Sequence, residues 1–132
     1  MKIYASLIIV VFTIMMTATS CKKVSPVIYP PRTIKYLLYT EQNFSEDNHN
    51  ITFSVSIRTH SKVLFDSTFA TMKIKDIPDT LHKIIVEKKV PNDDGSELAV
   101  GFRYSIENVG ISWHTETCQP GEALKVVDFS FR

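Results

Sequence analysis

The segment from Asn92 to Glu97 concentrates side-chain oxygens of the kind that bind hard metal ions. Calcium takes several oxygen ligands, often from a flexible loop, so Asp93 and Asp94 are the candidate calcium ligands. The run lacks the spacing of an EF-hand loop, however. Asn, Asp and Gly are also the residues that a tight turn requires. We therefore favour a turn here and predict no metal site.

The histidines lie in four separate segments, and no two have the spacing of a zinc site. His114 falls in one strand-like segment, and a neighbouring one carries Arg103, Ser105 and Glu107. If these four side chains share a sheet face, they form a candidate binding face for an anion or a sugar hydroxyl. A solvated sheet exterior predicts the same residue types. We expect no cofactor. The four histidines are His49, His60, His82 and His114.

Local signatures of catalysis are missing from the sequence. It has no nucleophile elbow, no glycine-rich phosphate loop and no His-Glu-x-x-His motif. A close pair of carboxylates can act as acid and base, but roles in turns and at strand edges explain each candidate carboxylate better than catalysis does. We therefore predict a protein that is not an enzyme. The candidate carboxylates beside apolar segments are Asp66, Asp76, Asp79 and Asp128.

Residues 1–20 have the order of a secretory signal peptide. Lys2 supplies a positive charge, and the stretch from Ala5 to Met16 is apolar apart from Ser6 and Thr13. The segment from Thr17 to Ser20 is small and weakly polar. A transmembrane helix needs about 20 apolar residues. The apolar run ends sooner, so we interpret residues 1–20 as a signal peptide.

The end of this segment carries a more specific pattern, because small residues from Ala18 to Ser20 directly precede Cys21, and Lys22 and Lys23 follow. The pattern resembles the lipobox of bacterial lipoproteins, with Ala18 where Leu is commoner. The resemblance covers residues 1–23. It implies that Cys21 carries acyl chains such as palmitate, becomes the mature N-terminus and anchors the protein to a membrane of the bacterial cell envelope. We expect the outer membrane.

The lipoprotein interpretation divides the rest of the chain into a tether, residues 21–32, and a domain, residues 33–132. The tether contains Pro26, Pro30 and Pro31. If Cys21 is acylated, Cys118 is the remaining thiol, and we expect it to pack as a small hydrophobic residue. The alternative is an ordinary secreted protein in which Cys21 and Cys118 form a disulfide.

Apolar residues of the domain recur with the period of two that is typical of β-strands. The clearest case is the segment from Ile51 to Arg58, where Ile51, Phe53, Val55 and Ile57 alternate with polar residues. No amphipathic helix of substantial length is predicted. The other predicted strands are Thr33 to Gln42, Lys62 to Phe69, Met72 to Ile77, Lys83 to Val90, Leu98 to Asn108, Ile111 to Cys118 and Ala123 to Arg132.

Two hairpins are predicted from the requirement that apolar residues face apolar residues across a strand pair. A three-residue loop ending at Gly95 pairs Val90 with Leu98, and its register continues to Val86 with Phe102 and Ile84 with Tyr104. A two-residue turn through Val109 and Gly110 pairs Ile106 with Trp113, Ser105 with His114, Glu107 with Ser112 and Arg103 with Glu116. The second register places His114 on the face of Arg103.

Eight short strands with Pro, Asn, Asp and Gly at their joins predict an all-β fold, an antiparallel two-sheet sandwich that is immunoglobulin-like in pattern. The Cys-Trp-Cys spacing of true immunoglobulin domains is missing. A closed barrel is the alternative. The predicted core includes Phe53, Phe102, Tyr104 and Trp113.

Composition argues against nucleic acid as a partner. The 132 residues contain 15 Lys and Arg and 14 Asp and Glu, which leaves a formal charge of +1 and no strongly basic field. We predict a lipid-anchored, non-enzymatic interaction module of the cell envelope that binds a protein or a glycan. The alternatives are a periplasmic inhibitor or immunity-type lipoprotein and a small envelope hydrolase.

Overall fold

The structure is a computed structural model that describes residues 25, 27–92 and 95–132. The predicted signal peptide, the predicted lipidation of Cys21 and the candidate calcium ligands Asp93 and Asp94 lie outside the described residues. The described residues form eight β-strands and one short 3-10 helix, which confirms the predicted all-β class.

Each predicted strand segment overlaps one observed strand. The segment from Met72 to Ile77 differs most, because its strand lasts two residues and a 3-10 helix, Ile74–Asp76, follows. The tighter helix turns both Ile74 and Ile77 into the core, which a straight strand would not do for residues an odd number of positions apart. The strands are β1 (Arg32–Thr40), β2 (Asn50–Arg58), β3 (Val63–Thr68), β4 (Met72–Lys73), β5 (Ile84–Val90), β6 (Leu98–Ile106), β7 (Gly110–Cys118) and β8 (Leu124–Phe131).

The described strands form two sheets, as expected for a sandwich. The three-stranded sheet has the order β5-β1-β8, and the five-stranded sheet has the order β3-β2-β6-β7, with β4 beside the start of β2 on the same edge as β3. The sheets are not closed into a barrel, so the barrel alternative is wrong. All strand pairs are antiparallel except β1 with β8, which is parallel.

The core lies between the two sheets and follows the predicted alternation. On β2 the four apolar side chains from Ile51 to Ile57 are buried, and the residues between them are partly exposed. Phe53 and Phe102 are buried as predicted, and Tyr104 packs against the core in a half-buried position. Phe102 contacts the rings of Tyr36 and Phe129, with centroid separations of 5.2 and 5.1 Å.

Tyr36 also joins the two sheets through a polar contact. Its hydroxyl, on β1, donates a hydrogen bond to the carbonyl oxygen of Ser56 on β2 at 2.6 Å. Burial raises the pKa of this phenol well above its usual value, so the hydroxyl keeps its proton and remains a donor. The bond fixes how β1 lies across β2.

The predicted hairpin between β5 and β6 is wrong. β5 pairs with β1 in the smaller sheet, where Val90 lies opposite Arg32, whereas β6 pairs with β2 and β7 in the larger sheet. The chain between them therefore crosses from one sheet to the other. Val90 and Leu98 are both buried in this arrangement. Burial of both residues is equally consistent with a hairpin, which is why the pattern did not distinguish the two.

The hairpin between β6 and β7 exists, but its predicted register is wrong. Arg103 lies opposite Trp113 and Ile106 opposite Gly110, a shift of three residues from the prediction. The loop is Glu107 to Val109, in which Asn108 adopts a φ of +60°. An odd shift turns every side chain of the second strand to the opposite face. Trp113, predicted in the core, is consequently 72% exposed.

Candidate functional site

The solvent face of the five-stranded sheet is unusually rich in hydroxyl groups. Its side chains come from the outward positions of β2, β6 and β7, which alternate with the core positions of the same strands. We call this surface the hydroxyl-rich face. It comprises Thr52, Ser54, Ser56, Arg58, Ala99, Gly101, Arg103, Ser105, Ile111, Trp113, Thr115 and Thr117.

Trp113 stands in the middle of β7 on this face, with most of its indole ring in solvent. Its partner across the strands is Arg103, and Gly101 is its diagonal neighbour. The ring borders a shallow depression of about 320 Å³. An indole beside a depression and a guanidinium provides both an apolar surface and hydrogen-bond donors for a ligand. The depression is lined by Ser56, Arg58, Ala99, Gly101, Phe102, Arg103, Trp113 and Thr115.

Gly101 contributes to the depression because it has no side chain. A Cβ atom at this position would lie 2.4 Å from the carbonyl oxygen of His114 and 3.2 Å from the Cα atom of Thr115. The backbone of β7 therefore approaches β6 here more closely than any other residue type allows. Because Gly101 has no side chain, the surface of the sheet beside Trp113 is recessed.

The charge around the depression is positive. Arg58 makes a long ion pair of 3.8 Å with Asp66, and both side chains are more than half exposed, so this contact stabilises little. Arg103 takes part in none of the ion pairs among the described residues. A ligand with a carboxylate would therefore meet an available guanidinium next to the indole ring.

The structure brings only part of the predicted binding face together. Arg103 and Ser105 lie side by side on the hydroxyl-rich face, as expected. Glu107 lies in the loop after β6, where its carboxylate accepts a hydrogen bond of 2.7 Å from the amide of Asn50. In the observed register His114 is on the inward side of β7, and the centroid of its ring lies 5.6 Å from that of Phe129. Ile111 lies opposite Ser105, where His114 was predicted, and Trp113 lies opposite Arg103, where Glu116 was predicted.

A charged cluster lies where the edge strands β7 and β8 of the two sheets meet. The carboxylate of Glu116 lies 2.9 Å from the Nζ atom of Lys125 and 3.1 Å from the Nε2 atom of His114. Burial raises the pKa of Glu116, but the hydrogen bonds from Lys125 and His114 outweigh burial and hold that pKa below its usual value. Glu116 in turn raises the pKa of Lys125. The cluster joins the sheets as an ion pair, and its carboxylate is already satisfied.

Two of the remaining histidines each pair with a carboxylate that is close in sequence. His49 pairs with Asp47 at 2.7 Å and His82 with Asp79 at 2.8 Å, each within a turn. Within the described ranges, no group of three or more His, Cys, Asp or Glu side chains is placed to hold a metal ion. Hydrogen bonds and ion pairs among those residues join no two of Asp66, Asp76, Asp79 and Asp128.

Cys118 is a buried free thiol at the end of β7. Burial and the charge of Glu122 raise the pKa of this thiol, and the nearby Arg32 only partly offsets them. A thiol with a raised pKa and no access to solvent is a poor nucleophile. This placement agrees with the expectation that Cys118 packs as a hydrophobic residue.

The structure also reveals two features that the sequence pattern missed. Trp113 was assigned to the core, and Arg32 was assigned to the tether although it is the first residue of β1 and is buried.

Across the part of the chain that the structure describes, no helix is long and apolar enough to cross a membrane. A comparison of the chain with known protein families, characterised proteins and solved structures finds no significant match.

Proposed function

We propose that the protein is a lipid-anchored binding module of the bacterial cell envelope that holds an anionic glycan on its hydroxyl-rich face without catalysing a reaction. The observation that carries the proposal is the position of Trp113. A tryptophan in the middle of a strand ordinarily packs inward, whereas this one has 72% of its surface in solvent next to a depression.

The chemistry around Trp113 suits a sugar. The flat indole ring stacks on the apolar face of a sugar ring, and the hydroxyl groups around that sugar need polar partners. Ser56 and Thr115 line the depression and provide hydroxyls, and Arg58 and Arg103 provide guanidinium donors. The two arginines favour a glycan that carries carboxylates.

A protein partner fits this face less well. The cores of protein interfaces are enriched in aromatic residues and depleted in serine, and stable ones bury about 800 Å² on each partner. Here Trp113 is surrounded mainly by serine, threonine and arginine, and Ile111 is the other large apolar residue on the face. Capture of a protein in a tight one-to-one complex that depends on Trp113 would favour the inhibitor alternative instead.

The anchoring part of the proposal depends on the lipobox-like residues from Ala18 to Cys21. Two or more acyl chains hold a protein stably on a bilayer, whereas one chain does so only marginally. A Cys21→Ala variant should therefore leave the membrane fraction of the expressing cells. Retention of that variant in the membrane fraction would contradict the anchor and would leave the glycan-binding part untouched.

Glycan binding is tested with the protein extracted from its membrane in a non-ionic detergent. The probe is purified peptidoglycan, an insoluble envelope glycan with carboxylates, and neutral cellulose is the comparison polymer. We expect co-sedimentation with peptidoglycan that weakens at high salt because charges are screened. Trp113→Ala should weaken binding about thirtyfold, since loss of an aromatic anchor costs about 2 kcal/mol.

Ile85→Ala is the control, because Ile85 is an exposed apolar residue on β5 of the other sheet, away from the hydroxyl-rich face. It should bind as the natural protein does. Trp113 is the single tryptophan of the chain, so its emission also reports directly whether a soluble fragment of peptidoglycan covers the ring. Equal binding by the Trp113→Ala and natural proteins, or no binding of peptidoglycan, would overturn the proposed function.

A further inference from the structure

Arg32 is a charged side chain enclosed in the sandwich. It is the first residue of β1, lies opposite Val90 and is 1% exposed. Its Nε and Nη1 atoms are buried and have no hydrogen-bond partner among the described residues. No ion pair in the described part of the chain includes it.

A buried guanidinium requires a counter-charge. Arginine does not lose its proton in proteins, so it cannot escape the cost of burial by becoming neutral. Removing a charge from water costs several kcal/mol unless an opposite charge and hydrogen bonds compensate. The neighbouring Cys118 does not supply that charge, because burial raises the pKa of its thiol and keeps it protonated at neutral pH.

Arg32 lines a small cavity at the end of the sandwich where β1 begins and β2 and β5 end. Leu64, Leu98 and Pro91 form apolar walls, and Lys62 adds a second cation. None of the lining residues that the structure describes carries a carboxylate. The cavity has room for about one water-sized group. The described residues that line it are Arg32, Thr59, Lys62, Leu64, Pro91, Ser96 and Leu98.

We propose that this cavity binds a small monovalent anion of the size of chloride, held by Arg32 with Lys62 on the cavity wall. A water molecule of the same size would satisfy hydrogen bonds but not the charge. Phosphate and sulfate are too large for the space. The site lies away from Trp113 and does not depend on the hydroxyl-rich face, so it goes beyond the proposed glycan-binding function.

The first test is direct binding of chloride, measured as broadening of the ³⁵Cl NMR line by the protein in detergent. The natural protein should broaden the line, and bromide should compete. Arg32→Met should lose the effect, whereas Arg132→Met, which removes an exposed arginine, should keep it. A line no broader with the natural protein than with the Arg32→Met variant would overturn the proposal.

The second test is stability, measured by urea unfolding because guanidinium chloride would itself supply the ion. Chloride is exchanged for gluconate, which is too large for the cavity, at constant ionic strength. The folding equilibrium constant of the natural protein should rise with chloride, approaching tenfold for each tenfold increase once the site is saturated. Equal stability in the two salts would overturn the proposal.

A carboxylate of the chain itself is the competing source of charge, and the double variant Asp93→Asn, Asp94→Asn tests it. If chloride is the counter-ion, this variant should show the same chloride response as the natural protein. A chloride response that appears only when both aspartates are replaced would assign the counter-charge to the loop and refute an anion site.

Discussion

Replacement of Gly101 by alanine tests the closest approach between β6 and β7. The added Cβ atom would lie 2.4 Å from the carbonyl oxygen of His114, and Cβ atoms essentially never come within 3.0 Å of such a neighbour, so β7 must move by at least about 0.6 Å. Overpacking of this kind costs about 1–3 kcal/mol. Gly101 does not have a positive φ, so alanine also restricts the unfolded chain and regains about 0.4–1 kcal/mol. The net expectation is a destabilisation of about 1–2 kcal/mol.

Urea unfolding followed by circular dichroism measures this change. With a slope of about 2 kcal/mol of stability per molar urea, which is typical of a small domain, the midpoint of Gly101→Ala should fall by about 0.5–1 M. Ala99→Ser is the control, because Ala99 is exposed and is the preceding outward residue of β6. It should leave the midpoint nearly unchanged. A Gly101→Ala variant as stable as the natural protein would refute the close approach and weaken the account of the depression beside Trp113.

Three further predictions concern the core, the sheet edge and the hairpin loop. Phe102→Ala should destabilise the protein by about 3–5 kcal/mol because Phe102 is buried among aromatic rings. Trp113→Ala should change the stability measured by urea unfolding by about 0.5 kcal/mol or less. Similar losses for both variants would contradict the observed register of β6 and β7. Glu116→Gln should cost about 1 kcal/mol or less at neutral pH. The pKa of Glu116 is lowered in the folded protein, so its contribution to stability is present above the usual carboxyl pKa and disappears as pH falls through the folded pKa. The unfolding curves of the natural protein and the Glu116→Gln variant should therefore converge in acid. A constant difference in stability at every pH would refute this. Asn108→Gly should preserve thermal stability and Asn108→Ala should lower it by about 1 kcal/mol, because Asn108 has a φ of +60°; an equally stable alanine variant would exclude that conformation.

The strands themselves were predictable because alternation is a local property. On β2 each apolar residue from Ile51 to Ile57 is two positions from the next, and any sheet that buries one of them buries all four. Which strands pair with each other was not predictable in the same way. Val90 and Leu98 are buried whether β5 pairs with β6 or with β1, so their pattern could not reveal that the chain changes sheets between them.

The register of β7 was not predictable because β7 is an edge strand whose inward residues are polar. Its inward residues Ser112, His114 and Glu116 are polar, and they lie at the sheet edge, where Glu116 is paired with Lys125 of the other sheet. An apolar Trp113 therefore looked like the inward residue. Arg32 was missed because a charged side chain at the end of a proline-containing segment is ordinarily exposed.

The parallel pairing of β1 with β8 has a consequence for the order in which the protein can fold. Thr33 lies beside Leu124 and Thr40 beside Phe131, so the first strand of the domain acquires one of its two neighbours only when the last strand exists. Val127 and Phe131 of that strand also complete the buried layer. A nascent chain that ends before Leu124 has an open strand edge and an incomplete core, and contacts so distant in sequence form slowly. Completion of the sandwich therefore waits until β8 has been synthesised.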